Sequence, residues 1–279
     1  MDISLSYITE EALREKAAEV KKGAGDGKGR VLIVGGGWIS LPSVYLAFQA
    51  SLEGGANSVF VAVPKPYAGS VRSMSPDVAV IQLPDFKFTR GSAKRLLKTM
   101  PEVDAVLFTT GTERGKEDGL KFFMRECEVK KVALSGSLLS QELFDLLPLK
   151  ESLIVLTKDE FEKASKVKLD EEDRAKAVCS FAASASLNLL LKDKMDYIAV
   201  KGTCAINRKQ RVEVNKLGSL DALAGLVASF LSKGLSVYEA ASLASYVDTE
   251  AELLAYKEKG PFFKESEVVK NYSVILKNL

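Results

Sequence analysis

Apolar positions along this chain follow two alternating periods. Short runs rich in Val, Ile and Leu predict buried strands at RVLIVGGG (30–37), NSVFVAVP (57–64), VAVIQLP (78–84), DAVLFTTG (104–111), KKVALSG (130–136), SLIVLT (152–157) and MDYIAVKG (195–202). Between them, apolar residues return every three or four positions. That spacing predicts helices over 8–22, 42–54, 91–100, 116–126, 139–147, 170–186, 220–233, 236–248 and 264–277, with a further helix after the acidic turn that follows Thr157. TCAINRKQRVEV (203–214) reads as a hairpin with Arg208, Lys209 and Gln210 near its tip. Strand–helix alternation with Val/Ile-rich strands predicts one α/β domain, with a mostly parallel sheet and helices on both faces. No Pro- or Ser-rich linker and no fixed-period repeat divides it, so residues 1–279 read as a single domain, with 1–29 as an N-terminal helix and glycine-rich lead-in.

Composition narrows the chemistry. The 279 residues are 47% hydrophobic, enough for a large core, and carry a formal net charge of +2 with no basic block that would suggest a nucleic-acid partner. No apolar run approaches the ~20 residues needed to span a bilayer, and the charged, amphipathic first residues do not read as a signal peptide. Cys127, Cys179 and Cys204 are far apart and odd in number, which predicts reduced thiols and a cytoplasmic setting. The chain has no histidine. Ser-His-Asp and Cys-His catalysis and His-based zinc sites are therefore excluded, and proton transfer falls to Asp, Glu, Lys, Tyr, Cys or water.

Four segments carry candidate chemistry. In VLIVGGGWIS a strand runs through Gly35, Gly36 and Gly37 into a helix. Ser40 stands where a dinucleotide fingerprint needs its last glycine, so the choice lies between a tight turn and a turn that admits a ligand. In NKLGSLDALAG the helix start at Gly218 and Ser219 offers amide groups to an anion, and Asp221 is either a dipole-complementing residue or a base beside a phosphate. In LTKDEFEKA, Asp159, Glu160 and Glu162 follow a strand end; they are either a helix-start cluster or metal-facing carboxylates. Lys201 and Gly202 end a strand and face either phosphate or solvent.

The order of these pieces resembles the ADP/ATP-dependent NAD(P)H-hydrate dehydratases of the ribokinase-like superfamily, from about residue 22 onward. KGAGDGKGRVLIVGGG is similar to the family's lead-in, IAVKGTCAI to its Lys-Gly strand, and GSLDALAGLVASFLSKG to its Gly-Thr-Gly-Asp helix; DAVLFTTGTERG sits where it has Gly-Pro-Gly-Leu-Gly, and IVLTKDEFEKAS where it has Thr-Pro-His-Pro-Gly-Glu-Phe. The resemblance implies a three-layer α/β/α fold. It also implies ADP or ATP with Mg²⁺, phosphoryl transfer to the hydroxyl of hydrated NADH or NADPH, and elimination that restores the double bond. Carried over by position, Asp221 is the catalytic residue. Gly218, Ser219, Leu220, Lys201 and Gly202 lie on the nucleotide side, Gly36, Gly37, Ser40 and Gly111 on the substrate side, and Glu160 near the metal. Leu220 replaces the second glycine of the family's helix motif. Two alternatives stay open: a ribokinase-like kinase of another small hydroxylated metabolite, and an inactive nucleotide-binding relative. Exposed Leu and Val on the C-terminal helices would permit a homo-oligomer.

Overall fold

The computed structural model describes residues 5–22, 28–37, 39–110, 118–136, 151–212 and 216–279. Ten strands among them form one sheet: β1 (Leu5–Tyr7), β2 (Arg30–Val34), β3 (Ser58–Pro64), β4 (Ala79–Leu83), β5 (Ala105–Phe108), β6 (Lys131–Ser135), β7 (Glu151–Thr157), β8 (Leu189–Lys192), β9 (Asp196–Val200) and β10 (Thr203–Asn207). Their order is β1-β10-β9-β8-β7-β6-β5-β2-β3-β4. Pairing is parallel from β8 through to β4, and only β9 runs against its two neighbours. The central strands are buried along almost their whole length, without alternation, because helices cover both faces.

The sheet separates two cores. Val31 and Ile33 of β2 face one core, with α1 (Glu10–Lys22), α2 (Leu41–Glu53), α8 (Ser219–Ser232), α9 (Val237–Lys259) and α10 (Glu265–Asn278); a short helix, α3 (Ala68–Arg72), lies on the same side. Leu32 and Val34 face the other core, with α4 (Arg90–Thr99), α5 (Asp118–Glu126), α6 (Lys158–Ser165) and α7 (Arg174–Ser184). The three-layer α/β/α reading of the sequence is thus the observed fold. Helices α2 and α8 touch backbone to backbone at Gly225, where an added Cβ would stand 2.3 Å from the carbonyl oxygen of Ala47. The Ser51 hydroxyl donates both to the Ala47 carbonyl (2.9 Å) and across to that of Gly225 (3.0 Å). Only a residue without a side chain permits this approach.

Chain direction reverses once within the parallel region. From β2 the chain proceeds to β3 and β4 on one side, then returns to β5 on the other side of β2 and continues outward to β8. Such a switch point opens a crevice beyond the carboxyl ends of the two strands where the direction changes, here β2 and β5.

The predicted elements recur within a few residues, with five departures. The hairpin is not within 203–214: its turn is Lys201-Gly202, both left-handed (φ 49° and 82°), between β9 and β10, and Arg208 to Val212 leave the sheet. Strand β8 went unread because LNLLLK continues an Ala/Leu-rich helical pattern; Ser186, at φ 54°, breaks the helix first. Strand β1 and the extension of α9 past 248 were also unread, the latter because Asp248, Thr249 and Glu252 interrupt its apolar stripe and are nonetheless buried. Finally, the spacing predicted reduced thiols, whereas Cys179 of α7 and Cys204 of β10, with Cα atoms 6.0 Å apart, form a disulfide. Sequence distance hid a pair that the fold brings together. The helix expected at 139–147 lies outside the described residues.

Candidate active site

Asp221 occupies the switch-point crevice. It sits in the first turn of α8, whose start faces the ends of β5 and β6, and it is 4% exposed. Thr110, just past β5, holds both its oxygens: the Thr110 amide donates to Oδ1 at 3.2 Å and the Thr110 hydroxyl to Oδ2 at 2.9 Å. The hydroxyl of Ser43, in the first turn of α2, also acts on this carboxyl, and the buried Ser135 hydroxyl, ending β6, lies near it without a hydrogen-bond partner. Burial raises its pKa above the usual aspartate value, and these donors, Thr110 foremost, pull the other way. A carboxylate that is desolvated yet hydrogen-bonded is a stronger base than one in water, with lone pairs to spare for a substrate proton.

The helix start beside it is open. Gly218 precedes α8 at φ 84°, and no side chain caps the helix among the described residues. The left-handed backbone calls for glycine here, and a Cβ at Gly218 would also displace Leu46 Cδ1, 2.4 Å away. The Ser219 amide reaches the Lys216 carbonyl at 3.3 Å, and the first long-range helical bond is Ala222 N–H to Gly218 carbonyl at 2.9 Å. Leu220 lies within regular helix, outside the positive-φ residues, so it presents its N–H as a glycine would. The first-turn amides and the helix dipole together favour an anion here.

The remaining sequence candidates divide between the two ends of the sheet. Gly36 (φ 87°) and Gly37 form the turn after β2: the Gly36 amide donates to the Thr110 carbonyl at 3.3 Å and the Gly37 amide to Ser40 Oγ at 2.7 Å. This turn therefore shares Thr110 with Asp221. Glu160 also belongs to this end. Its Oε2 accepts the Thr157 amide (2.9 Å) and hydroxyl (3.0 Å) in a capping box that starts α6, and it lies 2.8 Å from where a Cβ on Gly136 would be. Burial raises its pKa, and the Asp221 charge adds to that rise. Lys201 and Gly202 do not join them. Because β9 is antiparallel to β8, its carboxyl end lies at the start of the parallel strands, where the Lys201 amide donates to Asn188 Oδ1. Five strand residues, about 17 Å, separate that edge from the one bearing Asp221. A basic residue on the same edge as Asp221 is Lys192, ending β8 in register with Thr157. Gly111 lies outside the described residues.

Beside Thr157 the ends of β8 and β9 carry a buried ionic cluster that no local motif announced. Arg211 chelates Asp196 (2.8 and 2.6 Å) and also reaches Glu252 (2.8 Å) and Asp248 (2.7 Å). Lys192 Nζ pairs with Asp248 at 2.9 Å, and the Tyr272 hydroxyl donates to the same carboxylate. Glu265, opening α10, is 8% exposed and its Oε1 has no partner.

Metal-binding capacity is modest. Among the described residues no group of three or more His, Cys, Asp or Glu could hold an ion. Asp221 at the open start of α8 and Glu160 at the capped start of α6 supply two carboxylates at this end of the sheet, a donor set that suits a magnesium ion carried mainly by nucleotide phosphates and water.

Comparison with known proteins gives a consistent picture. The family model described as NAD(P)H-hydrate dehydratase matches residues 31–273. The ADP-dependent (S)-NAD(P)H-hydrate dehydratase of Nitrosopumilus maritimus is 29% identical over 254 residues, which cover 89% of this chain and 88% of that one. The bifunctional NAD(P)H-hydrate repair enzyme of Methanothermobacter thermautotrophicus is also 29% identical, and the match takes in 86% of this chain but only 48% of that longer protein. In three dimensions the chain superposes with TM-score 0.77 and 18% identity on the ADP/ATP-dependent NAD(P)H-hydrate dehydratase of Bacillus subtilis crystallised with ATP/Mg²⁺, covering 100% and 99% of the two chains.

Proposed function

Since this chain belongs to the NAD(P)H-hydrate dehydratase family, we propose that it repairs hydrated NADH or NADPH at the switch-point crevice, using ADP or ATP. The observation that carries the reading is the buried carboxylate of Asp221, held beside an uncapped helix start. When bound, the nucleotide supplies a phosphoryl group and magnesium screens its charge. Asp221 takes the proton from the hydrate hydroxyl as that oxygen attacks phosphorus, and burial strengthens it for this task. The amide of Leu220, in the first turn after the left-handed Gly218, holds the charge that develops on the transferred group, and the Ser219 amide joins it on letting go of the Lys216 carbonyl. Positioning and electrostatics supply most of the rate in such transfers. Phosphate is then a better leaving group than hydroxide, and its departure, together with loss of a proton from the adjacent ring carbon, restores the nicotinamide double bond.

The glycine turn at Gly36 and Gly37, with Ser40, borders the same crevice and would approach the hydrate, with Gly111 assigned to that side from the sequence. Glu160 is committed to the start of α6 and would reach a nucleotide-borne magnesium ion through water. Lys201 and Gly202 have no part in this reading.

The test is a thermal shift with Mg²⁺ and ADP or ATP, followed by turnover of hydrated NADH, on the wild type and Asp221→Asn. The reading expects stabilisation by nucleotide, return of the nicotinamide absorbance, and loss of at least a hundredfold in kcat in the variant, the order of a lost general base. Wild-type turnover in Asp221→Asn would refute the assignment. An organic product that retains phosphate would make the protein a kinase instead.

A further inference from the structure

We propose that Thr110 is the positioning residue that aims the Asp221 carboxylate at the substrate hydroxyl. The inference rests on the repair reading above. A carboxylate is attached through a soft torsion with a broad energy minimum, so an aspartate in a crevice is not oriented by its own covalent geometry. Something must fix the plane of the carboxyl group before a lone pair can point reliably at a proton. At this site Thr110 does so from two atoms: its amide and its hydroxyl take one oxygen each. Two donors on one residue define a plane, as a single hydrogen bond does not.

Thr110 is itself anchored to the acceptor side of the crevice. Its carbonyl accepts the Gly36 amide, and the preceding Thr109 amide donates to the carbonyl of Val34, the last residue of β2. The base and the glycine turn thus hang on the same residue, so their relative placement is set across one peptide unit rather than through a long chain of contacts. Ser43 acts on the carboxyl as well, but from one side chain only. Thr110 also brings a side-chain donor to a segment that, by resemblance, stands where the family has Gly-Pro-Gly-Leu-Gly, and neither glycine nor proline offers one.

A role in aiming differs from a role in binding. Removing the hydroxyl leaves the amide bond to Oδ1 and the volume of the side chain, so ground-state binding is untouched while the fraction of productive encounters falls. In Thr110→Val, kcat for hydrated NADH falls about 10- to 100-fold, the loss of one hydrogen bond to a charged group. KM for the hydrate and the nucleotide-induced thermal shift stay within about twofold. Thr110→Ser, which retains the hydroxyl, restores kcat to within about threefold of wild type. A Thr110→Val enzyme with wild-type kcat overturns the proposal. So does a Thr110→Ser variant as impaired as the valine, since that would make side-chain shape the requirement. The serine variant also keeps the test open if the valine fails to fold. Asp221→Asn runs in parallel: if it turns over like wild type the repair reading itself fails, whereas a dead Asp221→Asn beside an unaffected Thr110→Val removes only the inference about Thr110.

Discussion

Glu265 allows a quantitative prediction about pH. Its carboxyl is buried at the start of α10 with Oε1 unpartnered, facing Lys192 of β8, Arg211, and Asp248 and Glu252 of α9. Burial pushes its pKa from 4.5 up to about 7. A carboxyl whose folded pKa is raised stabilises the protein fully below the unfolded value, and that stability drains away as pH climbs through the folded value. Over a shift of about 2.5 units at ~1.36 kcal/mol each, some 3 kcal/mol is lost between pH 4.5 and the pH range above 7. Asp248 does not mask the effect. Its pKa is lowered from 3.8 to about 2, burial being outweighed by Lys192, Arg211 and Tyr272, so its contribution is complete above 3.8 and lost only in stronger acid. The assay is urea unfolding of wild type and Glu265→Gln at several pH values from 5 to 8.5, reading midpoints at constant m. The glutamine should nearly match wild type at pH 5 and become more stable by about 3 kcal/mol at pH 8.5. A difference between the two proteins that stays flat across that range refutes the argument, because the raised Glu265 carboxyl has to titrate within it.

Two further outcomes follow from the packing. The Cys179–Cys204 disulfide closes a loop with a sequence separation of 25, so the double alanine variant should lose about 3 kcal/mol in urea unfolding. Unfolded, unreduced wild type should show one reactive thiol per chain, since two of its three cysteines are paired; three would contradict the pairing. Gly225→Ala should cost about 1–3 kcal/mol, because the new Cβ meets the Ala47 backbone rather than a movable side chain; an unchanged unfolding midpoint would show that α2 and α8 separate freely.

The ionic cluster and the crevice that holds Asp221 are neighbours along one sheet edge. Lys192 is in register with Thr157, Thr157 bonds Glu160, and Glu160 feels the Asp221 charge. Carboxylates crowd this edge because the parallel strands all end there and helix starts converge on it, the usual place for a site in an open α/β sheet. Desolvation is therefore shared: the same burial that strengthens Asp221 raises Glu160 and Glu265.

Periodicity alone determined the class of fold, since a Val/Ile/Leu run buried on both faces and a 3.6-residue stripe are each local properties of the chain. The same local logic placed Gly218 and Asp221 at a helix start, and the glycines at 36 and 37 in a turn. Whether Asp221 faced a partner was beyond it, because Thr110 is 111 residues away and its donors meet the carboxylate only once β5 lies beside β2 and α8 crosses their ends. Lys201 illustrates the opposite failure. Lys-Gly after an apolar strand looks the same whether that strand runs with the sheet or against it, and only the reversed direction of β9 sends the pair to the far edge and leaves Lys192 at the near one. Nothing local marks Arg211, Asp248 and Glu265 as buried, since such residues are usually solvated. Their burial was decided by tertiary structure, because a charge leaves water only when distant segments supply the opposite charge at hydrogen-bonding distance, and no stretch of sequence carries that information by itself.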